Sequence, residues 1–152
     1  MIKYYDTLLV FQEVPDEITL AINISNCPHR CPNCHSPELR EDIGTELTYD
    51  ELDKLISEHK HITCVCFMGG DSSHQDIYSL AAYIHQEYPK IKTAMYSGNK
   101  EIDPLLVSIL DYYKVGPYLE DYGPLDSPTT NQRFYKVEVD HLVDITYRFQ
   151  EK

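Results

Sequence analysis

Cys27, Cys31 and Cys34 fall within the run CPHRCPNC, with three residues in the first gap and two in the second. Thiolates at that spacing suit three corners of a cubic four-iron four-sulfur cluster. With no fourth cysteine close by in the chain, one iron keeps an open position, which points to chemistry rather than passive electron storage. A structural zinc site completed by His29 or His35 is the competing reading of the same residues. Such sites usually come as paired CxxC elements or as CxxC with HxxxH, and the chain has no second pair of that kind. Cys64 and Cys66 stand two apart on a strand-like run and share a face. They read as core thiols, with a fourth cluster ligand or a redox pair as the alternative.

The elements that must carry these residues follow from hydrophobic spacing. Residues 2–11 and 18–25 read as two strands joined by a turn at Pro15–Asp16, and the second strand runs straight into Cys27. Thr48 and Glu51 form a capping-box pattern ahead of Leu52, Leu55 and Ile56, which predicts a helix ending near His59. Residues 62–68 read as a buried strand followed at once by Gly69, Gly70 and Asp71. A helix over 75–87, a strand over 91–96 ending in Ser97 and Gly98, and a helix opened by Asp103 and Pro104 come next. A short strand over 114–119, a Gly/Pro/Ser-rich loop, a strand over 134–139 and a tail over 144–149 complete the reading.

Strands alternating with helices predict parallel βα units, and ligands of such folds gather at the C-terminal strand ends. A closed eight-stranded barrel needs about 250 residues. The expectation for this chain is therefore α/β, a partial open (βα) barrel formed by one domain over residues 1–152. Cys27, Gly69 and Ser97 should meet on one rim. The glycine pair lets a backbone approach a ligand closely, or simply makes a tight strand-to-helix turn. Ser97 reads equally as a donor to a ligand's carboxylate or ribose and as a polar turn residue. His59, His61, His74, His85 and His141 show no shared ligand spacing and receive no role.

Composition narrows the class. The chain has 152 residues, 42 % hydrophobic and 25 % charged, as in ordinary globular proteins. With 25 acidic and 13 basic residues its formal net charge is −12, which disfavours nucleic acid and favours a protein partner with a basic patch. No apolar run is long enough to span a bilayer, and MIKYYDTLLVF has none of the features of a secretory signal. Five cysteines, three within eight residues, argue against a secreted disulfide framework, so a cytoplasmic location is expected. Of the 13 tyrosines, Tyr112, Tyr113, Tyr118, Tyr122 and Tyr135 crowd the C-terminal third, and the irregular loop from Gly123 to Arg133 reads as a partner contact or as a cover for the barrel.

The cysteine spacing and the Gly69–Gly70–Asp71 element resemble the radical S-adenosylmethionine superfamily. The segment GPLDSPTTNQRFYKV, with Asn131–Gln132–Arg133 at its centre, resembles the activating proteins of anaerobic ribonucleotide reductase. That resemblance implies a [4Fe-4S] cluster on Cys27, Cys31 and Cys34, with S-adenosyl-L-methionine chelated at the open iron. It implies that Gly69, Gly70 and Asp71 bind the ammonium group, where many members carry Glu in place of Asp71. It further implies that the backbones of Asn33, Cys34 and His35 line the adenine. The implied substrate is a glycine in the large subunit of anaerobic ribonucleoside-triphosphate reductase, with flavodoxin or ferredoxin as low-potential electron donor. An activating enzyme for another glycyl radical enzyme, and a non-enzymatic zinc or iron–sulfur module, remain as alternatives.

Overall fold

The computed structural model describes residues 2–25, 44–139 and 141–150. Eight strands form one sheet: β1 Lys3–Val10, β2 Thr19–Ile24, β3 Thr45–Glu46, β4 Cys64–Met68, β5 Lys92–Tyr96, β6 Tyr112–Val115, β7 Arg133–Val137 and β8 Leu142–Asp144. Their order is β3-β1-β2-β4-β5-β6-β7-β8. β2, β4, β5 and β6 run parallel, whereas β1, β3, β7 and β8 pair antiparallel on the two flanks.

This architecture corrects the expected partial open (βα) barrel. Among the described residues there are three α-helices, α1 Tyr49–Ser57, α2 His74–Glu87 and α3 Pro104–Val107, against eight strands in a mixed sheet. The strand–helix alternation holds only in the middle of the chain. A short loop with no crossover helix joins β1 to β2, so β2 must return antiparallel. After β6 the chain again comes back without a helix, and β7 and β8 extend the sheet as antiparallel strands.

The period-two alternation of the parallel strands divides the interior. Leu20, Ile22, Val65, Phe67, Met95 and Tyr113 face the helices and pack with Leu52 of α1, Ile77, Leu80 and Ile84 of α2, and Leu106 of α3. Cys64, Cys66, Ala94, Tyr112 and Phe134 face the other way. There, among the described residues, the cover is without α-helix: Val14 from the β1–β2 loop, Leu125 from the loop after β6, and Ile145 with Phe149 around the 3₁₀ turn Thr146–Phe149. The loop from Gly123 to Arg133 thus lies partly against this helix-free face.

Caps fix the helix starts. The Thr48 hydroxyl accepts from the Glu51 amide at 3.1 Å, Ser73 accepts from the Asp76 amide at 3.3 Å, and Asp103 accepts from the Leu105 amide at 2.9 Å. At the opposite, N-terminal end of the parallel strands, Glu17 is 8 % exposed. Its carboxylate accepts from Thr63 Oγ1 (2.7 Å), Tyr112 Oη (2.9 Å) and Lys92 Nζ (3.1 Å), tying the β1–β2 loop to three later segments. Glu17→Gln keeps the shape but replaces a charge-assisted acceptor by an amide. The expected cost is about 1–3 kcal/mol, read as a melting temperature lower by roughly 3–10 °C. A melt that does not move shows that this bracket contributes nothing.

Candidate functional site

The C-terminal ends of the parallel strands form a rim. Cα register aligns Asn23, Met68, Tyr96 and Lys114 in one row across β2, β4, β5 and β6. Just beyond it come Ser25, Gly69–Gly70–Asp71, and Ser97–Gly98. The exits of β4 and β5 and the end of β2, three positions before Cys27, lie side by side along this edge. Cys27, Cys31, Cys34, Asn33 and His35 lie outside the described residues.

The β4 exit turns because of its glycines. Gly69 and Gly70 have φ of +110° and +104°, a region that side-chain-bearing residues rarely adopt. A Cβ on Gly70 would lie 2.6 Å from Ile77 Cδ1 and 2.8 Å from Ile77 Cγ1. The turn thus brings α2 hard against the rim. The Gly69 amide donates to the Tyr96 carbonyl at 3.0 Å, which joins the two exits.

Asp71 is the hub. Its Oδ1 accepts from Ser97 Oγ at 2.7 Å and from His74 Nε2 at 2.8 Å, and its Oδ2 accepts from the Gly98 amide at 2.8 Å. Its side chain is 3 % exposed. Ser97 Oγ in turn accepts from the Asn99 amide at 3.0 Å. His74 Nδ1 lies 2.7 Å from Asp103 Oδ2, and Asp103 caps α3. Both ring nitrogens of His74 face carboxyl oxygens, and with both carboxylates ionised each nitrogen donates, an arrangement that favours the protonated ring. Burial alone would push His74 down, but the hydrogen bonds to Asp71 and Asp103, with their charges, outweigh it and hold the imidazole above its ordinary value. The His74 hydrogen bond and the Leu105 amide hold Asp103 below the usual carboxylate value.

These shifts set a pH window. The raised His74 contributes stability that is complete below the ordinary histidine value and is lost as pH rises through its folded value. The lowered Asp103 contributes stability present above the ordinary aspartate value and lost as pH falls through its folded value. His74→Gln should therefore flatten the decline in melting temperature as pH rises above the ordinary histidine value. Parallel slopes for the variant and the wild type would show that His74 is not the group responsible.

On the helix-free face a cavity of about 670 Å³ opens over the same row, lined by Glu13, Pro15, Tyr96, Lys114, Gln132 and Phe149 among others. That volume is in the range of small-molecule sites. Lys114 is buried, and its ammonium donates to the carbonyls of Ser97 (3.1 Å) and Gly116 (2.8 Å), 5.7 Å from the centre of the Tyr96 ring. One side chain thus belongs to both the rim and the cavity wall. The Tyr96 hydroxyl donates to the Glu13 carbonyl and holds the β1–β2 loop over the cavity.

Sequence reasoning missed His74 and Lys114. For His74 the only local signal is its position three residues after Asp71, since Asp103 is 29 positions away. For Lys114 there was none beyond a charge in a strand. Cys64 and Cys66 are fully buried on the helix-free face, and burial pushes both thiols up. Protonated, desolvated thiols are poor ligands and poor nucleophiles. Among the described residues no group of His, Cys, Asp and Glu is arranged to hold a metal ion, and none of the helices is long and apolar enough to cross a membrane.

Comparison with curated proteins and with solved structures finds no match. A family model described as a 4Fe-4S single cluster domain matches residues 18–119. That stretch takes in β2, the three clustered cysteines, the glycine exit of β4, and β5 and β6. The thiolate donor set suits iron and sulfide, and the match covers most of the chain: the protein belongs to the 4Fe-4S single cluster domain family.

Proposed function

We propose that the protein is a redox enzyme that cleaves S-adenosyl-L-methionine reductively and installs a glycyl radical on the large subunit of anaerobic ribonucleoside-triphosphate reductase. The observation that carries this reading is the three-thiol run CPHRCPNC directly after β2, whose neighbour β4 exits through Gly69–Gly70. The segment from Gly123 to Val137 favours the reductase as target. A reduced cluster held by Cys27, Cys31 and Cys34 would supply the single electron that reductive cleavage of a sulfonium carbon–sulfur bond needs, with methionine and a 5′-deoxyadenosyl radical as the products and a glycine as the hydrogen-atom donor. Flavodoxin or ferredoxin serves as the electron donor.

The chain's own residues hold and orient. Cys27, Cys31 and Cys34 would hold the cluster as thiolates. Asn33, Cys34 and His35 would contribute backbone groups to the adenine. Gly69 and Gly70 offer a close backbone approach to the ligand's ammonium end, and Ser97 stands beside them. Tyr96 and Lys114 wall the adjoining cavity.

Anaerobic reconstitution with iron and sulfide, reduction, and addition of S-adenosyl-L-methionine tests the reaction. Brown protein with about four irons per chain that releases 5′-deoxyadenosine and methionine supports it. One zinc with no iron, or an iron-loaded protein that leaves the sulfonium intact, overturns it in favour of a binding module. A glycyl signal by electron spin resonance after adding the reductase large subunit tests the target. Its absence, with cleavage intact, redirects the activity to another glycyl radical enzyme.

A further inference from the structure

The acidic residue after a glycine pair at a strand exit invites an obvious reading: its carboxylate pairs with the ligand's ammonium group. The geometry around Asp71 argues otherwise. Both carboxylate oxygens are engaged, Oδ1 by Ser97 and His74 and Oδ2 by the Gly98 amide, and the side chain is 3 % exposed. The imidazolium of His74 stands behind it and is itself anchored by Asp103 at the start of α3. A carboxylate already compensated by a cation and two donors has little to gain from a second cation, and reaching one would break buried charge-assisted bonds.

We propose that Asp71 is a positioning residue: locked by His74, it clamps the Gly69–Gly70 exit of β4 to the Ser97–Gly98 exit of β5, so that the backbones of the two exits receive the ammonium end of S-adenosyl-L-methionine together. This rests on the reading under Proposed function. The clamp accounts for the short side chain. The Asp71 carboxylate spans from the turn after β4 to Ser97 Oγ and Gly98 N while His74, one helical turn on, reaches back to it. An added methylene at this position pushes the carboxylate away from partners set for the shorter reach.

The test uses the cluster-loaded full-length chain, kept anaerobic, in wild-type form and as Asp71→Asn, His74→Gln, Ser97→Ala and the Asp71→Asn/His74→Gln pair. Two quantities are measured. Amide hydrogen exchange over the two exits is read without the sulfonium ligand, and its affinity is read from the change it causes in the spin-resonance signal of the reduced cluster. The clamp predicts roughly tenfold or greater acceleration of exchange at Gly98 in Asp71→Asn and His74→Gln. Ligand affinity should fall in step with exchange in every variant, and the pair should be no worse than Asp71→Asn alone.

Direct contact between Asp71 and the ammonium predicts the opposite split. Asp71→Asn would lose affinity with exchange unchanged, while His74→Gln, which does not reach the ligand, would bind normally; that result overturns the proposal. Ser97→Ala removes the hydrogen bonds to Asp71 and from the Asn99 amide but leaves both charges in place, and keeps the test open if Asp71→Asn fails to fold. A wild-type protein that holds its cluster but binds no S-adenosyl-L-methionine overturns the functional reading and the ligand half of this proposal. The exchange measurement still decides, by itself, whether Asp71 joins the two exits.

Discussion

Serine at any one of Cys27, Cys31 or Cys34 is expected to yield a folded protein without its cluster. A serine hydroxyl is a harder and far weaker acid than a thiol, so it does not replace a thiolate on iron at neutral pH. Iron should fall from about four per chain to a trace, the brown absorbance should vanish, and 5′-deoxyadenosine formation should drop to background. The control lies within the same molecule. Cys66 is equally a cysteine but sits fully buried on the helix-free face, its sulfur 3.6 Å from Met68 Sδ. Cys66→Ser should keep its iron and lose about 1–3 kcal/mol of stability through a hydroxyl buried without a good partner. Iron retained by Cys31→Ser, or lost by Cys66→Ser, would mean that the ligand set has been assigned to the wrong cysteines.

Gly70→Ala is expected to be the most damaging single change among the described residues of the rim. The backbone at +104° is unfavourable for alanine by about 1–2 kcal/mol. The new methyl also meets Ile77 Cδ1 at 2.6 Å and Cγ1 at 2.8 Å. Ile77 is fully buried in the helix-side core, so it has nowhere to retreat, and overpacking adds about 1–3 kcal/mol. Together these lower the melting temperature by roughly 5–15 °C and displace the β4 exit. Gly69→Ala should be milder, because its methyl meets the Ile24 carbonyl oxygen at 3.3 Å and no side chain below 3.4 Å. The cause can be separated by adding Ile77→Val, which removes the Cδ1 atom. Partial recovery of Gly70→Ala in that background identifies the clash, and strict additivity of the two changes would rule it out.

The parts of this architecture that were legible in the sequence are those set by neighbours. Thr48 with Glu51, and Asp103 with Pro104, announced helix starts that the structure bears out, and the alternation in residues 18–25 announced a strand with one core-directed face, although β2 is buried on both faces. Where a local signal was misread, a special backbone conformation explains it. The strand expected over 114–119 is β6, Tyr112–Val115, because Gly116 at φ +106° followed by Pro117 ends it early. The helix opened by Pro104 holds one turn and gives way to a turn through Ser108. Of the flank strands, β1 and β7 were readable as strands, but β3 and β8 and the direction of β7 were not. β3 and β8 span two and three residues, too short for a periodic pattern, and the antiparallel return of β7 is decided by pairing with β6. The partial barrel was an extrapolation of the central alternation to ends that do not share it. Within the site, the glycine exits were readable because their residue types are rare in strands. The Asp71–His74–Asp103 chain was not, because a histidine's partners are set by the fold.

The helix-free face has a consequence for how this chain reaches its native state. Asp16 and Arg148, 132 positions apart, form a salt bridge at 2.9 Å, and Phe149 packs against Phe134 with tilted rings whose centres lie 4.9 Å apart. The helix-covered side is assembled from segments that succeed one another along the chain, whereas the other side closes only when distant ends come together. Refolding from urea should therefore proceed in stages, with the helical layer forming first and a dye-binding intermediate persisting until the last turn docks. A metal centre inserted during that interval would meet a half-dressed sheet, so the order of assembly and loading becomes part of how an active molecule is made.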